Sequence, residues 1–241
     1  MKWRSLQESG AYSDMRPLRE IFAERKEAIA KYVPADVQAV HARAVDGLKA
    51  QGLASTALGI FCVGAKSPSF ELPDQNGRPV SSANLLAKGR LVLSFIRGRW
   101  CPFCVGQMEA MNYIAAQIEA SGATMVAVSP QTEKQSYFMR DQHKLAFPLL
   151  VDAGNQLARE FLLVYRVSEE QQGLYRSTFV NLPHVNGDSS WELPIPATFV
   201  IDRDGTVLFA SANEDYTDRP EPLEILAAIE NDQTNRYRPR P

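Results

Sequence analysis

The sequence predicts an α/β domain built on a mixed sheet, on three observations. The runs Leu91–Ile96, Thr124–Val128, Pro148–Val151 and Ala197–Ile201 are continuously apolar rather than alternating, the pattern of strands buried on both faces. Between them, 103–120, 132–142 and 155–162 repeat apolar residues at helical spacing. After the last run, Asp202-Arg203-Asp204-Gly205 is a tight-turn signal leading into Thr206-Val207-Leu208-Phe209, so 197–210 reads as a β-hairpin. Alternating strands and helices followed by a hairpin and a helix make a mixed α/β layout.

The chain before this rhythm is helical. Leu18, Ile21, Phe22, Ile29 and Val33 recur at helical spacing after Pro17, which suits a first helical turn. Pro34-Ala35-Asp36 restarts a second helix on Val37, Val40, Val45 and Leu48, with Gly52 as its stop. The expected organisation is a helical extension over 1–63, a domain over 64–232 with a long insertion at about 166–194, and a tail over 233–241. The tail is polar and rich in proline, and is expected to fray. Pro220-Glu221-Pro222 opens the closing helix. A two-helix prelude packs on its own domain or on a second copy, which leaves a homodimer open.

Composition narrows the function classes. In 241 residues, 26 Lys and Arg face 28 Asp and Glu, for a net charge of −2. That balance argues against a nucleic-acid binder. No apolar run approaches the ~20 residues that span a bilayer, and Met1 to Gly10 has no signal-peptide pattern, so a cytoplasmic protein without membrane partners is expected. A chain of this length buries roughly 70–75% of its unfolded surface and needs no disulfide framework. Only three cysteines are present. Cys62, in Gly59-Ile60-Phe61-Cys62-Val63, reads as a buried packing residue.

The other two cysteines carry the chemistry. Arg97-Gly98-Arg99-Trp100-Cys101-Pro102-Phe103-Cys104 follows a buried strand and opens a helix. Pro102 fits the first helical position, which puts Cys101 at the N-cap and Cys104 at the third. Both sulfurs then stand near unsatisfied N–H groups and the positive end of the helix dipole, which lowers thiol pKa values. Arg97 and Arg99 add positive charge. The spacing lets the pair close a disulfide, one sulfur attacking and the other resolving. A zinc site would need two further ligands, and only Cys62, His41, His143 and His184 are left, so zinc is not expected; a dithiol cycle itself requires neither a metal nor an organic cofactor. Pro196 cannot donate to a ladder, and on general grounds it reads as an ordinary trans proline at a strand start.

Trp100-Cys101-Pro102-Phe103-Cys104 and Pro196-Ala197-Thr198-Phe199 resemble the redox motif and cis-proline segment of the thioredoxin fold. Ser67-Pro68-Ser69-Phe70-Glu71-Leu72-Pro73-Asp74, Gly77-Arg78-Pro79-Val80, Phe147-Pro148-Leu149-Leu150-Val151-Asp152 and Phe199-Val200-Ile201-Asp202-Arg203-Asp204-Gly205 extend the likeness over about 64–230. The wider frame resembles the peroxiredoxin-like branch of the alkyl hydroperoxide reductase/thiol-specific antioxidant family. This implies a thioredoxin-like fold and a cis Ile195–Pro196 bond beside Cys101 and Cys104, so Pro196 joins those cysteines and the flanking Arg97 and Arg99 as candidate site residues. The sequence departs from the family pattern Pro-x-x-x-Thr/Ser-x-x-Cys plus Arg. Cys104 takes the peroxidatic position, Cys101 the Thr/Ser position, Arg97 the Pro position and Pro196 the Arg position. Those replacements lean toward a thioredoxin-type dithiol, in which Cys101 would attack.

Three functions stay open at this point. The first is a peroxidase that reduces hydrogen peroxide or organic hydroperoxides through a Cys101–Cys104 disulfide, regenerated by a thioredoxin-like or glutathione reductant. The second is a disulfide oxidoreductase, and the third a redox sensor that does not turn over. His184, Trp191 and Glu192 in the insertion, and Tyr216 and Arg219 beyond it, stand where they could border the site, with loop packing an equal explanation for each.

Overall fold

The computed structural model describes residues 16–178 and 180–235. Met1 to Gly10, where no signal-peptide pattern is seen, and the last six residues of the tail expected to fray lie outside the described residues. Helices α1 (Leu18–Tyr32), α2 (Ala35–Gln51) and α3 (Leu53–Ile60) precede a small hairpin, β1 (Glu71–Pro73) and β2 (Pro79–Ser81). The chain continues through α4 (Ser82–Lys88), β3 (Arg90–Phe95), α5 (Pro102–Tyr113), α6 (Ala115–Ala120), β4 (Ala123–Ser129), α7 (Glu133–Gln142) and β5 (Leu149–Val151). Next come α8 (Gln156–Glu160), β6 (Val164–Arg166), α9 (Glu169–Ser177), α10 (Leu182–Asn186) and β7 (Glu192–Pro194), then β8 (Ala197–Ile201), β9 (Val207–Ala212) and α11 (Pro222–Asn235). Among the described residues no helix is long and apolar enough to cross a membrane.

The five-stranded sheet runs β5-β4-β3-β8-β9. β3 and β5 pair parallel to β4, while β8 pairs antiparallel to β3 and to β9. This is the expected mixed sheet. Central β3 is buried at every position and serves two cores. Leu91, Leu93 and Phe95 enter one, and Val92, with Ile96 just past the strand's end, the other. The period-2 alternation of a strand sends each set to its own face. Phe95, Phe161 and Phe199 stack in the first core, with the Phe95 and Phe161 centroids 5.0 Å apart and Phe161 and Phe199 4.9 Å apart. The second core takes α1, α5 and α11 through Leu18, Phe22, Phe103, Met108, Ile225 and Ile229.

The helical prelude packs onto this body. Glu221 accepts hydrogen bonds from the N–H groups of Leu18 (2.7 Å) and Arg19 (2.9 Å), capping α1 from the start of α11. Gly52 ends α2 with φ of 63° and passes directly into α3, a third helix where the sequence suggested a stop. The 103–120 stretch is two helices, because Ile114 leaves helical geometry between α5 and α6. The insertion is not a bare loop: it holds α9, α10 and the pair β6–β7.

Two expectations fail here. Cys62 is exposed. Phe61 turns inward instead, 4.9 Å from the Phe161 ring, and the next residue leaves the core as the chain swings toward Gly64. The Ile195–Pro196 bond is trans, since no described peptide bond is cis. Pro196 sits at the entry to β8, where an extended trans proline fits the strand start.

Candidate active site

The site forms where β3 ends and α5 begins. Pro102 occupies the first helical position, Cys101 is the N-cap in extended geometry, and Cys104 lies one turn in. Both cysteines are free thiols and buried, Cys101 at 1% and Cys104 at 0% exposure. Gly98 makes the approach possible. Its φ of 137° lies where L residues are strained, and a Cβ there would meet Trp100 Nε1 at 3.0 Å and Gln131 Oε1 at 3.2 Å.

Two donors converge on Cys104. The Arg97 backbone N–H reaches its sulfur at 3.4 Å, and Arg219 Nη2 lies 3.6 Å away. Burial opposes ionisation of Cys104. Together, the hydrogen bond from Cys101, the charges of Arg219 and Arg97 and the Arg97 N–H overcome it and hold the thiol well below its ordinary range. Cys101 goes the other way: burial and its hydrogen bond to Cys104 keep it protonated well above that range. The expectation that both thiols become more acidic therefore holds for Cys104 alone. The pair is therefore polarised, with ionisation favoured at Cys104 and opposed at Cys101.

Arg97 is 1% exposed. Its guanidinium carbon lies 4.6 Å from the Trp100 ring centre and 4.1 Å from that of Tyr216, and Nη2 donates to the Tyr175 hydroxyl at 2.8 Å. Burial works against its charge, but the electrostatic influence of Tyr165, Tyr175, Cys101 and Tyr216 keeps it protonated. Arg99 turns away from the sulfurs. Its N–H donates to Gln131 Oε1 (3.0 Å) and its Nη1 to Gln135 Oε1 (3.1 Å), with the guanidinium carbon 5.9 Å from the Phe138 ring. Pro196 lies alongside the end of β3, because Ala197 pairs with Phe95.

The cover over the sulfurs comes from distant segments. Phe22 of α1 meets Phe103 edge-on at 5.1 Å, and Arg25 donates to the Pro102 carbonyl. His41 of α2 faces Tyr175 at 6.1 Å and Tyr216 at 6.4 Å, and its Nδ1 hydrogen-bonds Gln171 Nε2 at 3.1 Å. Burial, then the Arg97 charge, pulls the His41 pKa down to about 4, so the ring is neutral near pH 7. Of the border residues, Tyr216 and Arg219 reach the site. Trp191 stacks with Arg176 at 4.8 Å, Glu192 pairs with Arg159 at 2.7 Å, and His184 is exposed. Arg219 was legible only as a border residue, since no local pattern marks it. Among the described residues no group of three or more His, Cys, Asp or Glu is placed to hold a metal.

Residues 63–210 match the model of the AhpC/TSA family. The chain is 26% identical over 168 residues to the chloroplastic peroxiredoxin Q of Sedum lineare, a match covering 69% of this chain and 78% of that protein. It is 25% identical over 147 residues to a thiol-disulfide oxidoreductase ResA of Bacillus cereus, covering 61% of this chain and 67% of that protein. The fold is similar to that of the peroxidoxin BcpB of Mycobacterium tuberculosis, with a TM-score of 0.55 at 23% identity over 70% of this chain and 96% of that one. Peroxiredoxin Q of Xanthomonas campestris is similar in fold at a TM-score of 0.52 and 19% identity, covering 67% and 90%.

Proposed function

Because the chain belongs to the AhpC/TSA family and is an enzyme of the peroxiredoxin and thiol-disulfide oxidoreductase kind, we propose that it is a hydroperoxide reductase in which Cys104 attacks and Cys101 resolves. The observation that carries this reading is the asymmetry of the pair. Arg219 and the Arg97 N–H both converge on Cys104, while Cys101 donates to it.

The Cys104 thiolate attacks one peroxide oxygen. An S–O bond forms, the O–O bond breaks, and the leaving hydroxide or alkoxide takes a proton from solvent. Cys104 is now a sulfenic acid, its sulfur oxidised by two electrons. The Cys101 sulfur then displaces hydroxide from it, and the Cys101 proton leaves with that hydroxide as water. The resulting Cys101–Cys104 disulfide takes two electrons back from an external dithiol of the thioredoxin type or from glutathione. Arg219 supplies positive charge at the reacting sulfur, which the family pattern draws from the position held here by Pro196. Its guanidinium stabilises the thiolate and the charge developing on the peroxide oxygens.

The test is rapid mixing of the reduced protein with hydrogen peroxide and with an organic hydroperoxide, followed by thiol counting. The expected result is consumption far faster than by free cysteine, with loss of both the Cys101 and Cys104 thiols. Reaction no faster than free cysteine, together with rapid reduction of insulin disulfides, would replace this reading with a disulfide oxidoreductase, which the likeness to ResA favours. Oxidation without turnover in the presence of a thioredoxin-like reductant would make it a sensor.

A further inference from the structure

Among the described residues Arg219 makes four hydrogen-bond contacts, and only the sulfur among these partners can carry charge. Its Nε and Nη2 donate to the Tyr216 carbonyl at 2.9 and 2.7 Å, Nη1 donates to Gln107 Oε1 at 2.7 Å, and Nη2 also reaches Cys104 Sγ at 3.6 Å. Gln107 is 1% exposed and sits on α5 three residues after Cys104, on the same helix face one turn along. Its amide orientation is set from below. Gln107 Nε2 donates to Thr198 Oγ1 at 3.3 Å, and Thr198 Oγ1 shares a 2.8 Å hydrogen bond with Ser94 Oγ. Thr198 and Ser94 are both fully buried, facing one another across the β3–β8 pair.

We propose that Gln107 is a positioning residue for the reaction: its carboxamide, locked by Thr198 and Ser94, holds the Arg219 guanidinium against the Cys104 sulfur. The inference rests on the reading of Cys104 as the attacking sulfur. The chain Ser94–Thr198–Gln107 spends the amide N–H group on Thr198 and leaves the amide oxygen for Arg219. A flipped amide would set N–H against guanidinium and drive the arginine off. The neutrality of the acceptor matters as much as its place. A carboxylate at position 107 would claim the guanidinium charge, whereas the amide anchors Arg219 and leaves its charge for the sulfur. The connection also ties the arginine, which follows β9 on an irregular segment, to the two central strands of the sheet.

The test uses the full chain with Gln107→Glu, which keeps size and shape, and Gln107→Met, which removes the acceptor. Each is scored by the pH profile of iodoacetamide labelling at Cys104, read by mass spectrometry, alongside the melting temperature. The expected result is an upward move of the Cys104 labelling half-point by about one pH unit in both variants, corresponding to a tenfold loss of thiolate below it. Either folded variant keeping the wild-type profile, whatever its melting temperature, would overturn the proposal and leave Gln107 a packing residue. Labelling needs no peroxide, so a chain inert to hydroperoxides would fail the functional reading without deciding this one.

Discussion

Arg219 Nη2 lies 3.6 Å from the Cys104 sulfur, although 115 positions separate the two residues in the chain. The contact gives the pair of cysteines a direction, because positive charge gathers on the second sulfur of the motif. Replacing Arg219 with Met removes that charge while keeping most of the stem. The peroxide rate constant is expected to fall by tenfold or more, a loss of about 1.4 kcal/mol or more of transition-state stabilisation. Stopped-flow kinetics at a fixed pH measures it.

The thiols should titrate far apart. Cys104 sits below its ordinary range and Cys101 above it, so labelling of Cys104 should rise with pH well before that of Cys101. A Cys101→Ser variant retains a hydroxyl donor and should keep Cys104 acidic. Residue-resolved alkylation across pH reads both curves.

His41 ties acid stability to the helical cover. Its pKa is about 4 in the folded protein against an ordinary value near 6.5, so the unfolded chain binds more protons between those limits. Stability from this group is complete above pH 6.5 and is lost as the pH falls toward 4. The groups facing the ring are Arg97, Tyr175, Tyr216 and Gln171, and a protonated His41 would add a second cation beside Arg97. A His41→Gln variant should therefore lose less stability than the wild type over that window, measured by denaturant unfolding at a series of pH values.

Gly98→Ala should damage the site from outside it. The new methyl group would press on Trp100 Nε1 and Gln131 Oε1 at a backbone φ of 137° that alanine tolerates poorly. A lower melting temperature and a peroxide rate reduced by about tenfold are expected, the second because the 98–100 segment sets the direction of α5.

What could be read in the sequence was local. Trp100-Cys101-Pro102-Phe103-Cys104 announces its helix start through Pro102, and the structure has Cys101 at the N-cap as that proline requires. The core strands announce themselves by continuous apolar runs, and β3, β4, β5 and β8 lie where those runs fall. Helix α9 also left a signal, a capping pair in which Ser168 accepts from the Gln171 N–H at 3.3 Å. The long-range contacts had no such signal. Arg219, Gln107 and His41 come from three separate parts of the chain and gain their meaning from the fold, which no spacing in the chain encodes. Cys62 misled for a related reason: an apolar neighbourhood in sequence says nothing about which of Phe61 and Cys62 turns inward.

The most direct test of the central claim is to locate the sulfenic acid. Reduced Cys101→Ser and Cys104→Ser variants are treated with one equivalent of hydrogen peroxide in the presence of dimedone, and the adduct is mapped by mass spectrometry. An adduct on Cys104 in the first variant, with none on Cys101 in the second, is the predicted result. An adduct on Cys101 in the Cys104→Ser variant, with Cys104 unmodified in the other, would contradict the account.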